Sequence, residues 1–400
     1  MKSHFTTKPQ WLVKTSAVVC ISVSLSFSPT AGATDRSPQI VQGNLSLKNE
    51  IEHAISKGAD WLQKNQSPEG SWAPADHPAV TALALVALQG DPASKKSRGE
   101  TKALQQGYKF LESCVQKDGG IYRKRELLNY NTSVSMLAFV AANRAEYRPI
   151  LLKARQFVIG LQNDFGAPGE VDSPLDGGIG YGSSRPHADM ANTLQALEAL
   201  YYTQDLARDQ SQAGLKDLNW PAVLQFIQNC QNLPSHNAQK WASDDPQNKG
   251  GFVYFPGHSM AGETNLPSGR VALRSYGSIS YAGLLSYIYA DLKRDDPRVR
   301  AVLDWLRNNF TLEENPGMGP QGLFYYYHTM AKALTTYGLD EIELTSGRKV
   351  RWRDSLALKL INLQKTDGSW INENGRWWEK EPALVTAYAL ITLELIQQKL

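Results

Sequence analysis

The stretch from Trp61 to Trp72, WLQKNQSPEGSW, constrains this chain more than any other. It carries Gln66, Gly70 and Trp72 in a Q-x3-G-x-W pattern, and Gln364, Gly368 and Trp370 repeat that pattern near the other terminus, inside LQKTDGSW. Each copy follows an amphipathic stretch and precedes a nearly all-apolar one. A glutamine closing a helix can satisfy the orphan backbone groups found at helix ends. The glycine allows a turn that a side chain would obstruct, and the tryptophan packs over the join with one N–H to place. Clasps of this kind mark where one helix hands over to the next.

From Asn49 the chain alternates between two kinds of helical segment. Segments 50–65, 101–116, 148–162, 219–231, 297–310 and 352–364 are amphipathic; in the first, Ile51, Ile55, Ala59 and Leu62 recur at helical spacing with charges between them. Segments 78–89, 131–143, 187–203, 277–291, 323–337 and 382–397 are apolar or small around most of their circumference. A helix that is apolar all round must be surrounded, so six alternations predict an inner and an outer ring of helices. Weaker clasps recur at Gln116 with Gly119-Gly120-Ile121-Tyr122, at Gln162 with Gly177-Gly178-Ile179-Gly180-Tyr181, and at Gln231 with Gly250-Gly251-Phe252-Val253-Tyr254. The fifth unit has Phe310 at the glutamine position and departs most. The period is roughly fifty residues, stretched where loops are inserted, and strand signals are scarce, so the expected class is all-α.

The first 33 residues read differently. Lys2, Lys8 and Lys14 form a basic start, Ala17 to Phe27 a short apolar run, and Ala31-Gly32-Ala33 a small-x-small cleavage signal. This predicts a cleaved signal peptide over 1–33, a mature start at Thr34, a polar lead-in over 34–48, and an exported protein, periplasmic or extracellular. No later apolar run approaches the ~18 residues of a membrane span. The whole chain holds 42 basic and 39 acidic residues; removing the three leader lysines leaves equal numbers and a formal charge of zero. That removes any compositional case for nucleic acid or an anionic membrane surface as partner. Cys20 falls in the leader. Cys114 and Cys230 occupy equivalent places in the second and fourth units, with a whole unit between them. A disulfide needs Cα atoms within ~7 Å, so both are expected as buried free thiols.

Tandem helical hairpins ending in Q-x3-G-x-W resemble the prenyltransferase and squalene-oxidase repeat proteins, a superfamily that includes squalene–hopene cyclases and the β subunits of protein prenyltransferases. The resemblance covers about residues 50 to 398. It implies one domain over 49–400 that folds as an α/α toroid, an (α/α)6 barrel of six hairpins. In such a ring every outer-to-inner connection falls at the same end. Those connections include the longest loops, which in compact domains usually have a task, and the positive ends of the inner helices face the same way. The site is therefore expected at that rim.

Asp189 and His328 are the candidate catalytic groups: Asp189 as a general acid tuned by Arg185 and His187, His328 as a group among three tyrosines facing the cavity. Arg185, His187, Arg274, Tyr276, Tyr281, Tyr326, Trp377 and Trp378 are the candidate substrate-binding residues. Each has a structural alternative: Asp189 as a first-turn acid on a helix dipole, His328 as a packed wall residue, the aromatics as core or rim packing. The resemblance also supplies tests. Class II terpene cyclases protonate an alkene from a D-x-D-D motif, and no intact D-x-D-D occurs here. Protein prenyltransferases hold zinc through an Asp, a Cys and a His. His328 in YYYHTMAKAL matches the histidine part, but Arg274 and Tyr276 stand where the Asp and Cys belong. One histidine does not make a zinc site, so neither metal nor cofactor is expected. The reading is an exported toroid that binds or cyclises a hydrophobic, isoprenoid-like small molecule in its central cavity. The alternatives are a non-catalytic binding or scaffold toroid, and a carbohydrate-active (α/α)6 enzyme with Trp241, Trp377 and Trp378 as sugar platforms, whose mark would be two carboxylates about 5–10 Å apart.

Overall fold

A computed structural model describes residues 38–92, 100–182, 187–207 and 214–400, with side chains from residue 45 onward. The predicted leader lies outside these residues. The outer helices are α1 (Pro38–Lys64), α3 (Lys102–Ser113), α5 (Arg148–Ile159), α7 (Trp220–Asn229), α9 (Pro297–Asn308) and α11 (Trp352–Leu363). The inner ones are α2 (Pro78–Gly90), α4 (Leu128–Ala142), α6 (Met190–Tyr202), α8 (Gly277–Tyr289), α10 (Leu323–Tyr337) and α12 (Pro382–Gln397). Helix α1 begins at Pro38, so most of the expected lead-in is helical.

The inner helices pack in chain order, α2 on α4, α4 on α6, and so on to α12, and α12 packs back on α2. The ring is closed, and the chain is an α/α toroid. Inner helices are buried on nearly every residue, continuously from Pro78 to Leu88 in α2 and from Gly277 to Tyr289 in α8. That is why their sequences lack a polar stripe. Two short antiparallel hairpins decorate the connections: β1 (Glu263–Asn265) with β2 (Val271–Leu273), and β3 (Glu341–Glu343) with β4 (Lys349–Arg351). Among the described residues, no helix is long and apolar enough to cross a membrane. Cys114 and Cys230 are both buried free thiols.

The clasps join units as well as helices. Gln66 Nε2 donates to the Gly70 carbonyl within its own turn and to the Ala103 carbonyl on the next outer helix, both at 2.9 Å. Gln162 bonds Gly177 and Asn219 in the same way, and Gln231 bonds Gly250 and Arg298. Gln364 bonds Gly368 and Ala54, each at 2.9 Å. Because Ala54 lies on α1, this last clasp closes the ring. Gly368, with φ at +98°, lies so close to the Lys57 carbonyl that a Cβ there would collide with it. Trp72 and Trp370 are fully buried, and their indole N–H groups reach the carbonyls of Leu62 and Leu360 at 2.9 and 2.8 Å. A second tie recurs that the Q-x3-G-x-W pattern does not reveal. A hydroxyl in the first turn of an inner helix (Thr81, Thr132, Thr193, Ser280 or Thr386) accepts the backbone N–H of Trp72, Ile121, Ile179, Phe252 or Trp370. The second and fifth units differ. Gln116 stays within its own loop, bonding Cys114 and Tyr122, and the loop after Phe310 instead sends Asn315 to the N-terminus of α8.

Candidate functional site at the rim and bore

The inner-helix N-termini and the outer-to-inner connections share one end of the toroid. Each orphan N–H at that end needs an acceptor, and much of the polar chemistry of the rim is spent there. Asp189 is the N-cap of α6, one residue outside the helix. Its Oδ1 accepts the Asn192 N–H at 2.9 Å and its Oδ2 the Asn192 side-chain amide at 2.8 Å. Neighbouring units cap one another as well. Asn131 accepts from Ala79 at the start of α2, and Asn315 from Ser278 at the start of α8. Glu379, carried by the sixth rim loop, accepts from Phe324 and Tyr325 at the start of α10. Asp189 is fully buried, and that burial pushes its pKa up to about 6 against the bonds from Asn192 that pull it down. Burial raises Glu379 in the same way.

Below this ring of caps lies the bore. Its cavity measures ≈ 20 Å³, enough for about one water molecule. One side is apolar, with Leu83 and Val86 from α2, Val134 and Leu137 from α4, and Ile391 from α12. The other carries Gln195 from α6 and His328 and Lys332 from α10. Tyr130 and Tyr388 meet hydroxyl to hydroxyl at 3.3 Å across the bore, and burial raises the Tyr130 phenol to about 12. Deeper still, Lys332 forms a buried ion pair with Glu198 from α6. Burial first, and then the Lys332 charge, hold the His328 pKa well below 6.5, so the imidazole is neutral.

At the mouth stands an exposed aromatic pair. Trp377 and Trp378 are 41% and 39% accessible. Both lie in the left-handed region, at φ 54° and 65°, a conformation that costs about 1–3 kcal/mol per non-glycine residue and is retained where a site requires it. Trp378 packs against His77, the N-cap residue of α2, with ring centroids 4.3 Å apart and tilted by 51°. Trp377 lies under the Arg376 guanidinium at 4.7 Å and against Gly322, the N-cap residue of α10. Arg376 also reaches Met260 in the long fourth connection, so the two loops meet at the mouth.

The structure sorts the sequence-derived residues into three groups. His328 lines the bore, and Trp377 and Trp378 flank its mouth. Asp189, His187 and Tyr276 gather at the rim: Asp189 influences the ionisation of Tyr276, Tyr325 and Tyr254, and His187 that of Asp189. His187 packs on Phe255 at 4.7 Å, with its Nδ1 buried and without a hydrogen-bond partner. Tyr281 and Tyr326 stand apart. They pack on each other at 5.7 Å between α8 and α10, the Tyr326 hydroxyl donates to Thr311 in a loop, and neither lines the cavity. Arg274 is exposed on the rim beyond β2, and Arg185 lies outside the described residues. Gln195, Glu198, Lys332, Tyr130 and Tyr388 are the bore residues that sequence patterning passes over. The available signal was a polar side chain breaking an otherwise apolar inner helix. Among the described residues, no cluster of three or more His, Cys, Asp or Glu side chains could hold a metal ion.

The closed double ring defines the class: this chain has the α/α toroid fold of the terpenoid cyclases and prenyltransferases. Among solved structures it is similar to type II terpene cyclase MstE from Scytonema. The apo form matches with a TM-score of 0.50 at 12% identity over 88% of this chain and 99% of that one. An apo variant of the same cyclase gives 0.50 at 11% identity over 88% and 98%. Another variant, in complex with its substrate geranylgeranyl dihydroxybenzoate, gives 0.49 at 11% identity over 89% and 100%. No family model matches the sequence, and no curated protein matches it.

Proposed function

We propose that this protein binds a hydrophobic, isoprenoid-like small molecule at the rim, between the Trp377–Trp378 pair and the tyrosines at the top of the bore, and does not cyclise it. The observation that carries the reading is the strained, half-exposed tryptophan pair over the mouth of a bore with one apolar wall. Exposed aromatics held at that energetic cost are placed to meet something. The absence of a D-x-D-D motif in the sequence, and Asp189, whose two oxygens are both taken by the Asn192 backbone and side-chain N–H groups, support binding without proton-initiated chemistry. The same commitment of Asp189 and Glu379 to helix ends argues against a carboxylate pair for glycoside hydrolysis.

The test is a fluorescence titration of the full mature chain with farnesol, repeated on a Trp377→Phe/Trp378→Phe double variant, with analysis of the native protein by mass spectrometry. Saturable quenching that the double variant loses, with farnesol recovered unchanged, is the expected result. Cyclised product, or quenching equal in both proteins, would refute it. We also propose export, from the leader pattern of the first 33 residues. The protein recovered from its host should begin near Thr34, and an intact Met1 on cytoplasmic protein would contradict this.

A further inference from the structure

On α10, His328 Nδ1 is buried in the cavity wall with no protein partner, and Tyr325 Oη is buried beside that wall, also without one. They sit one turn apart, and both rings pack on Tyr388, at 6.0 and 4.9 Å between centroids. His328 is 5% exposed and lines the cavity, with Gln195 facing it from α6 and Lys332 one turn below. A neutral imidazole offers one donor and one acceptor nitrogen, a phenol offers both roles, and a glutamine amide adds both again. Unpaired polar atoms in a buried wall are a standing penalty, and a bore made only for hydrocarbon would have no use for them. What they surround has a definite size, since ≈ 20 Å³ admits about one water-sized group.

We infer that this cavity is a head-group subsite, and that the ligand is an isoprenoid ending in one small uncharged oxygen function, a primary alcohol or an aldehyde. The inference rests on the binding function proposed above and narrows its ligand class. The head oxygen sits between His328 and Gln195, with Tyr325 one turn above, and the chain leads up between Tyr130 and Tyr388, whose hydroxyl contact parts to admit it, toward the tryptophans at the mouth. Three other heads are disfavoured on the same grounds. A hydrocarbon end leaves the polar wall unpaired. A diphosphate is too large for the cavity. A carboxylate brings a second anion beside Glu198, while the nearby cation, Lys332, is already engaged with Glu198.

The experiment is a calorimetric comparison of farnesol, the hydrocarbon of the same skeleton lacking the hydroxyl, and farnesyl diphosphate, on the full mature chain and on Tyr325→Phe and His328→Leu variants whose melting curves confirm folding. Farnesol is expected to bind roughly tenfold more tightly than the hydrocarbon, as one well-made hydrogen bond provides. Both variants should lower farnesol toward the level of the hydrocarbon and leave hydrocarbon affinity no weaker than in the wild type. Equal binding of alcohol and hydrocarbon, strongest binding of the diphosphate, or variants that weaken both ligands alike would overturn the head-group subsite while leaving the binding function standing. No binding of any of the three would overturn the binding function, and the subsite with it.

Discussion

Replacing Asp189 by asparagine should make the protein more stable relative to wild type as pH rises, although the residue caps a helix. The carboxyl is fully buried, and its pKa stands at about 6 against 3.8 for an ordinary aspartate. A raised folded-state pKa means that the stabilising contribution of this group is complete below about pH 3.8 and is lost as pH climbs through 6. Each pKa unit is worth about 1.4 kcal/mol, so the whole shift corresponds to roughly 3 kcal/mol. Between pH 5 and pH 8 the wild type should lose about 1.4 kcal/mol through this one group. The asparagine variant carries no such term, and its cap is conserved in outline. Its side-chain oxygen can still accept the Asn192 N–H, and the Asn192 Oδ1, buried without a partner in the wild type, can turn to accept from the new amide. Urea unfolding of both proteins at pH 5 and pH 8 measures the difference directly. Stability curves that run parallel, with the gap changing by less than about 0.5 kcal/mol, would show that Asp189 is not the strained buried acid described here. A variant that falls further behind at pH 8 would show that its ionised cap outweighs its burial.

Two further outcomes follow from the ring. Trp370→Ala should cost about 3–5 kcal/mol, because the indole is fully buried and its N–H is satisfied by Leu360; since that clasp fastens the sixth unit to α1, hydrogen exchange should accelerate from Ile51 to Leu62, and unchanged exchange there would separate the clasp from ring closure. Lys332→Met should destabilise by about 3–5 kcal/mol by leaving Glu198 buried and unpaired, whereas the Lys332→Met/Glu198→Leu double variant should recover most of that loss; a double variant as unstable as the single in thermal melts would mean the pair holds the ring by more than mutual neutralisation.

The sequence by itself determined the toroid. Helix-forming periodicity, apolar inner segments and a glutamine, glycine and tryptophan at fixed spacing are local properties, and each helix and its handover turn can be read within a few dozen residues. Six such hairpins in a row leave a closed double ring as the natural way to surround the inner segments. The rim as the elaborated end was legible for the same reason, since loop length and helix polarity are read along the chain. What only the tertiary structure decided depends on which side chains meet across the ring. The Gln364 clasp reads as a local turn until α1 lies beside it and Ala54 accepts its second bond. Asp189 and His328 look equivalent as polar residues of inner segments, yet one is held as a cap and the other faces the bore, a difference of helix start and rotation. Tyr326 and Tyr325 are neighbours in sequence, but helical geometry turns one onto Tyr281 of α8 and the other onto Tyr388 of α12. Glu198 and Lys332 appear in sequence as isolated polar interruptions of two apolar helices. Burying either alone would be prohibitive, and only ring closure places them face to face, where each makes the other tolerable.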